Sequence, residues 1–208
     1  MNFENKLISG RFIKRYKRFL VDVKIGGKII TAHCPNTGSM YGLLKKNNKV
    51  WLTKSNNPNR KLKYTLQIIQ DKNSKVGVNT HLANKIVLEA LQNNQIKEFN
   101  RKIEIKPETK FGPNTRFDFL ITKNNFKAFV EVKNVTLSRE KSIAEFPDAV
   151  TSRGLKHIKE LIKAKKKGYK IYILYLIQRN DCKYFKIAED IDPEYSDSLS
   201  KAVKKKLN

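Results

Sequence analysis

Residues 115–134, TRFDFLITKNNFKAFVEVKN, leave the chain few options. Two apolar runs of strand length flank a polar turn, TKNN, and each run carries a carboxylate among residues that favour burial: Asp118 in the first, Glu131 in the second, with Lys133 two positions further on. Runs this short, joined by so short a turn, pair as a hairpin within a sheet. That pairing brings Asp118 near Glu131, and the two-residue period of a strand puts Glu131 and Lys133 on the same face. Two close carboxylates repel each other unless a cation lies between them. Mg²⁺ suits such a pair, because it takes one or two protein carboxylates and leaves its other positions to water and substrate phosphate. A neighbouring lysine can orient an attacking water or help deprotonate it, and can stabilise charge on a phosphorane-like transition state. The set is chemically complete for metal-assisted phosphodiester hydrolysis. The same spacing also arises from ordinary charges on a solvated sheet face.

The flanking sequence sets the surroundings. VNTHLANKIVLEALQNNQI (residues 78–96) reads as a helix capped by Asn79 or Thr80. Leu82, Ile86 and Glu89 fall within about 60° of one another on it, so Glu89 shares a face with apolar residues and is a third candidate carboxylate. A charge on a packed face is costly unless it has a partner, and a shared metal supplies one. IEIKPE, from Ile103, reads as a further strand, and SREKSIAEFPDAV as a loop. TSRGLKHIKELIKAKKKGY reads as a second helix with an apolar stripe at Leu155, Ile158 and Ile162, ended by Gly168. YKIYILYLIQ then reads as a strand buried on both faces. Strand, helix, strand in that order is a crossover unit, so part of this sheet is expected to be parallel.

Residues 1–75 read differently, as about five short strands with no long helix, which suggests a small oligonucleotide-binding (OB) type barrel. RFLVDVKI and KIITAHC flank Gly26-Gly27, a pair suited to a tight hairpin turn. The expected class is α/β (α+β overall): an OB-like barrel over residues 1–78 and an α/β domain with a mixed sheet over residues 79–208.

The charge points to a polyanion. The net charge is +25, and residues 1–80 hold 17 Lys and Arg against 3 Asp and Glu, whereas residues 81–208 hold 27 against 16. Nucleic acid is the simplest partner for such a surplus. Lysines outnumber arginines 35 to 9, a bias that an A+T-rich genome also produces. GRFIKRYKRFL interleaves Arg11, Lys14, Arg15, Lys17 and Arg18 with Tyr16, giving cations for phosphates and an aromatic ring for stacking; Phe19 is expected in the core. On the second helix, Arg153 and His157 lie one turn apart on the expected polar side, and this spacing would let both contact one phosphate. PNTGSM is read as a turn, His33 and His81 as structural, and Cys34 and Cys182 as reduced thiols. No apolar run reaches the roughly 18–20 residues of a membrane span, and MNFENKLISG has no signal-peptide character, so a cytoplasmic protein without membrane contact is expected. The sequence leaves the oligomeric state open, a homodimer included.

Six blocks in order, GRFIKRYKRFLVDV, AHCPNTGSM, GVNTHLANKIVLEAL, TRFDFLI, EVKNVTL and AEFPDAVTSRGLKHIKEL, together resemble the sugar fermentation stimulation protein (SfsA) family, and DIDPEY resembles its C-terminal block. The family's members are described as DNA-binding. The resemblance implies an N-terminal OB barrel joined to a domain of the PD-(D/E)xK nuclease type. It sets the nuclease signature on Asp118, Glu131 and Lys133, with Glu89 as the helix acid and Mg²⁺ or Mn²⁺ as the metal held by Asp118, Glu131 and Glu89. The leading PD is not literal here, since Phe117 precedes Asp118. The nuclease-type fold also hosts proteins that bind without cutting. Three readings therefore stand: a metal-dependent nuclease, a non-catalytic DNA-binding regulator linked to sugar metabolism, and a general polyanion binder.

Overall fold

The computed structural model describes residues 2–100, 102–124 and 126–204. The chain starts with β1 (Ile8–Tyr16), β2 (Leu20–Ile25), β3 (Lys28–His33), β4 (Lys49–Lys54), β5 (Tyr64–Asp71) and β6 (Ser74–Gly77). A one-turn 3-10 helix, Thr80–Leu82, leads into α1 (Ala83–Gln92). The next strands are β7 (Glu104–Lys110), β8 (Arg116–Lys123), β9 (Phe126–Val135) and β10 (Ile143–Phe146). They are followed by α2 (Ser152–Lys166), β11 (Lys170–Ile177), β12 (Tyr184–Ile187) and α3 (Pro193–Lys204).

These elements form two compact units that interleave along the chain. The first comprises Met1–Leu82, Val135–Asp148 and Ile177–Lys186; the second comprises Ala83–Asn134, Ala149–Leu176 and Ile187–Asn208.

In the first unit the strand order is β3-β2-β1-β4-β5-β6, and a parallel bridge between His33 and Thr65 joins β3 to β5, closing a five-stranded barrel. Alternation drives this fold. Phe12, Val21, Val23, Ala32, Val50, Leu52, Leu66 and Ile69 point inward and are at most 2% exposed. Each of these side chains larger than alanine contributes about 2 kcal/mol by leaving water. Gly26 and Gly27 make the β2–β3 turn with φ of +51° and +84°, a region that glycine enters without steric cost. The PNTGSM stretch is held as an irregular turn. Arg15 Nη1 donates to Gly38 O at 2.9 Å, Arg15 Nη2 to Asn36 O at 2.6 Å, and Met40 N to Asp148 Oδ2 at 2.9 Å. Residues 138–150, expected as one loop, contain β10, which pairs with β12.

In the second unit the sheet order is β11-β9-β8-β7. β9 is the central, most buried strand. β11, expected to be buried on both faces, is instead an edge strand, with Ile171 buried and its other apolar residues half-buried. Its apolar run covers two small clusters rather than the centre of a sheet. Tyr172, Leu174 and Leu176 pack against the core that includes Val87, Phe119 and Val130; Tyr169 and Ile173 pack against Phe117, Phe129 and Leu161. α2 starts at an N-cap, Thr151, whose Oγ1 accepts from Gly154 N at 3.0 Å. Its buried stripe is Gly154, His157, Ile158, Leu161 and Ala164, rotated from the expected Leu155, Ile158 and Ile162.

Candidate functional site

β8 and β9 pair antiparallel with Phe119 opposite Val130 and Leu120 opposite Phe129. Continued by one residue, this register sets Asp118 against Glu131. The β7–β8 register, with Pro107 opposite Phe119 and Thr109 opposite Phe117, sets Glu108 against Asp118 from the other side. Three carboxylates thus form a row across three strands. Where the β8–β9 ladder stops, the Asp118 side chain takes over: Val132 N donates to its Oδ2 at 2.7 Å. Asn84 Nδ2, from α1, donates to Asp118 Oδ1 at 2.8 Å and lies 3.5 Å from Glu108 Oε1.

Glu131 is 3% exposed, Lys133 8% and His157 7%. Lys133 Nζ donates to Glu131 Oε1 at 2.9 Å. His157 Nδ1 meets the same oxygen and lies 3.4 Å from Lys133 Nζ. Among the described residues, Glu131 Oε2 is buried with no hydrogen-bond partner. The two carboxylates are driven apart electrically. Burial, and then the Glu131 charge, push the Asp118 carboxyl above the ordinary aspartate range, against the opposing bonds from Val132 and Asn84. Burial alone would also raise Glu131, but the hydrogen bond from His157 and the Lys133 charge outweigh it, so Glu131 is held below its ordinary value.

This donor set fits a hard divalent cation. Glu131 Oε2 is an orphaned buried acceptor, and Asp118 is a carboxylate raised in part by a like charge. Two carboxylates with water completing the sphere suit Mg²⁺ or Mn²⁺. No group of three or more His, Cys, Asp or Glu among the described residues is arranged to hold a metal by itself, so the set does not resemble a closed zinc site.

The other expected site residues are dispersed. On α1 the buried residues are Ala83, Val87 and Leu91. Glu89, half-buried, lies about 160° round the helix from the middle of that stripe, and Asn84 on α1 is bonded to Asp118. His157 is corrected from the polar side of α2 to its buried face, where it joins the carboxylate pair instead of awaiting phosphate. Arg153 is exposed. On β1, Arg11 is exposed and its Nη1 donates to Asn47 O at 3.2 Å. Lys14 lies 3.9 Å from Asp22 and 5.5 Å over the Tyr16 ring, whose hydroxyl bonds Asp22 at 3.1 Å. Arg15 is committed to backbone carbonyls of residues 18, 36, 38 and 39. Lys17 and Arg18 are exposed in the β1–β2 turn, with φ of +48° and +61°. Phe19, expected in the core, is 48% exposed because the turn carries it outward.

The structure adds Asn84, Glu108 and His157 to the surroundings of the carboxylate pair. Glu108 carried a signal, since counting back from Asp118 through an antiparallel turn reaches it. Among the described residues, no helix is long and apolar enough to cross a membrane.

Comparison with known proteins gives one consistent picture. Residues 81–208 match the model described as "Sugar fermentation stimulation protein RE domain", and residues 13–78 match the SfsA N-terminal OB domain. A sugar fermentation stimulation protein homolog from Pelagibacter ubique is 58% identical over 208 residues, covering 100% of this chain and 90% of that protein. The homolog from Brucella anthropi is 46% identical over 204 residues, covering 97% and 88%. Among solved structures, that of Pyrococcus furiosus SfsA in complex with Ca²⁺ is similar with a TM-score of 0.89 at 28% identity, covering 98% of this chain and 86% of that one.

Proposed function

The chain belongs to the sugar fermentation stimulation protein family, and from that premise we propose that it is a cytoplasmic protein that binds nucleic acid, DNA foremost, and hydrolyses phosphodiester bonds with Mg²⁺ or Mn²⁺. The observation that carries this reading is the carboxylate pair, half-buried Asp118 opposite buried Glu131, with an unpartnered Glu131 Oε2 and Lys133 beside it. Asp118 and Glu131 hold the cation. When bound, it supplies Lewis-acid polarisation of the scissile phosphate. The protein's own groups do the rest. Lys133 Nζ orients the attacking water and faces the charge that develops on the phosphate oxygens. His157 and Lys133 fix Glu131 through Oε1, which leaves Oε2 for the cation. The basic barrel, residues 1–78, grips the strand, and residues 79–208 carry the cutting site. The Ca²⁺ bound by the Pyrococcus furiosus relative supports a hard divalent cation within the family.

A second reading has an observation of its own. Glu131 Oε1 is already met by Lys133 and His157, so the cluster satisfies much of its charge without metal. On that reading the protein is a non-catalytic DNA-binding regulator. Incubation of single- and double-stranded DNA and RNA with Mg²⁺ or Mn²⁺ decides between them. Cleavage by the wild type that Asp118→Asn and Glu131→Gln both lose is the expected result. Absence of cleavage on every substrate, or cleavage that persists in both variants, gives the regulator.

A further inference from the structure

The barrel carries its one tryptophan on the outside. Val50 and Leu52, on either side of Trp51, are fully buried in the core, so Trp51 points outward and is half-buried. Lys49 Nζ and Lys75 Nζ each lie 5.3 Å from the centre of its ring. Strand register extends this group sideways. Lys49 stands opposite Arg11, Arg11 opposite Lys24, and Lys24 opposite Ile29. Arg11, Lys24, Lys49 and Lys75 are all exposed, and Ile29 is 67% exposed. The result is a band across β3, β2, β1, β4 and β6 with four cations, one indole and one aliphatic side chain. Two of the three acids in residues 1–80 are engaged elsewhere: Asp22 by Lys14, Tyr16 and Thr31, and Asp71 by Arg179. β5 lies between β4 and β6, so the band spans five strand steps, about 24 Å at a spacing of about 4.8 Å.

We propose that this band, centred on Trp51, is a seat for single-stranded nucleic acid, in which Trp51 stacks on a base and Lys49, Lys75, Arg11 and Lys24 follow the phosphates. The inference rests on the nucleic-acid reading above and adds the form of the ligand and where it lies. A base stacked on an outward-facing ring is worth about 1–3 kcal/mol and must be unpaired to reach it, whereas a duplex offers the band only its phosphates. The expected contact also differs from the β1 cluster of Lys14, Arg15 and Tyr16, much of which is engaged with other groups of the barrel.

Because Trp51 is the only tryptophan, its fluorescence reports on this seat alone. Labelled oligothymidylate and oligouridylate, and a duplex of equal length, would be titrated by anisotropy while Trp51 emission is recorded, without divalent metal. The expected result is saturable quenching that follows single-strand binding, and little or none with the duplex. Trp51→Leu weakens binding about tenfold or more and Trp51→Phe restores most of it. Lys49→Gln and Lys75→Gln each lower the salt slope by about 0.7. Single strands that bind without changing Trp51 emission, and equally well to Trp51→Leu, overturn this inference and leave the nucleic-acid reading standing. Equal quenching by the duplex also overturns it. No binding to any nucleic acid overturns both.

Discussion

Asp118 and Glu131 face each other across two strands, yet their environments differ in sign. Burial and a like charge raise Asp118, while His157 and Lys133 overcome burial at Glu131 and lower it. In metal-free protein, Asp118 therefore keeps its proton to higher pH than in the unfolded chain. Its contribution to stability is present below the ordinary carboxylate pKa and is lost as pH rises through its folded value. Glu131 behaves oppositely: its contribution is present above the ordinary value and is lost as pH falls through the folded one. Carbon-detected NMR titration of the side-chain carboxyls should find Asp118 above the ordinary aspartate range and Glu131 below the ordinary glutamate range; the reverse order would contradict the assignment. His157 tests the same cluster. Its removal in His157→Ala takes a hydrogen bond from a buried carboxylate and should cost about 1.5–3 kcal/mol in urea unfolding. Were His157 the surface residue that α2 patterning suggests, the loss would stay within about 0.5 kcal/mol.

At the scale of elements, local pattern was readable and phase was not. The Asp118–Glu131 hairpin follows from two short apolar runs and a short turn, all within 20 residues. α1 was readable as a helix, but its buried stripe starts at Ala83, after a separate 3-10 turn, and not at Leu82. That offset of one residue moves Glu89 away from the middle of the buried stripe and brings in Asn84. His157 was legible as helical but not as buried, because the partner that makes its burial tolerable, Glu131, is 26 residues away. β10 and β12 have four residues each and pair across about forty positions, so local periodicity carries little trace of them. α2 offers a test of close packing. A Cβ at Gly154 would lie 2.8 Å from Thr151 Cγ2 and 3.1 Å from the Tyr195 ring. Gly154→Ala should therefore destabilise by about 1–2 kcal/mol in chemical denaturation, although alanine is favoured over glycine in a helix by about 1 kcal/mol. A stabilised variant would show that the Thr151 cap yields easily.

At the scale of the whole molecule, the chain leaves the first unit and returns to it twice, and charge marks one return. Arg179, with a side chain 3% exposed, donates to Asp71 on β5 at 3.0 Å, to Asp181 at 2.8 Å and to Thr136 O at 2.9 Å. Its guanidinium holds the Asp181 carboxyl down at about 2, so that ion pair persists far into the acid range. Arg179→Met leaves Asp71 buried without its charge partner and should cost about 3 kcal/mol or more, measured as a fall in the unfolding midpoint. A loss below about 1 kcal/mol would mean that this tie is incidental. Two matched domain models along one chain describe sequence order well, yet the packing units are discontinuous, a feature that composition and charge do not announce.

The proposed hydrolysis depends on a divalent cation held between Asp118 and Glu131. Calorimetric titration of Mn²⁺ into the intact protein tests it without any substrate. Saturable binding that Asp118→Asn and Glu131→Gln each abolish or weaken at least tenfold, and that Glu89→Gln leaves unchanged, is the predicted result. No saturable binding by the wild type, or binding that both carboxylate variants retain, would contradict it.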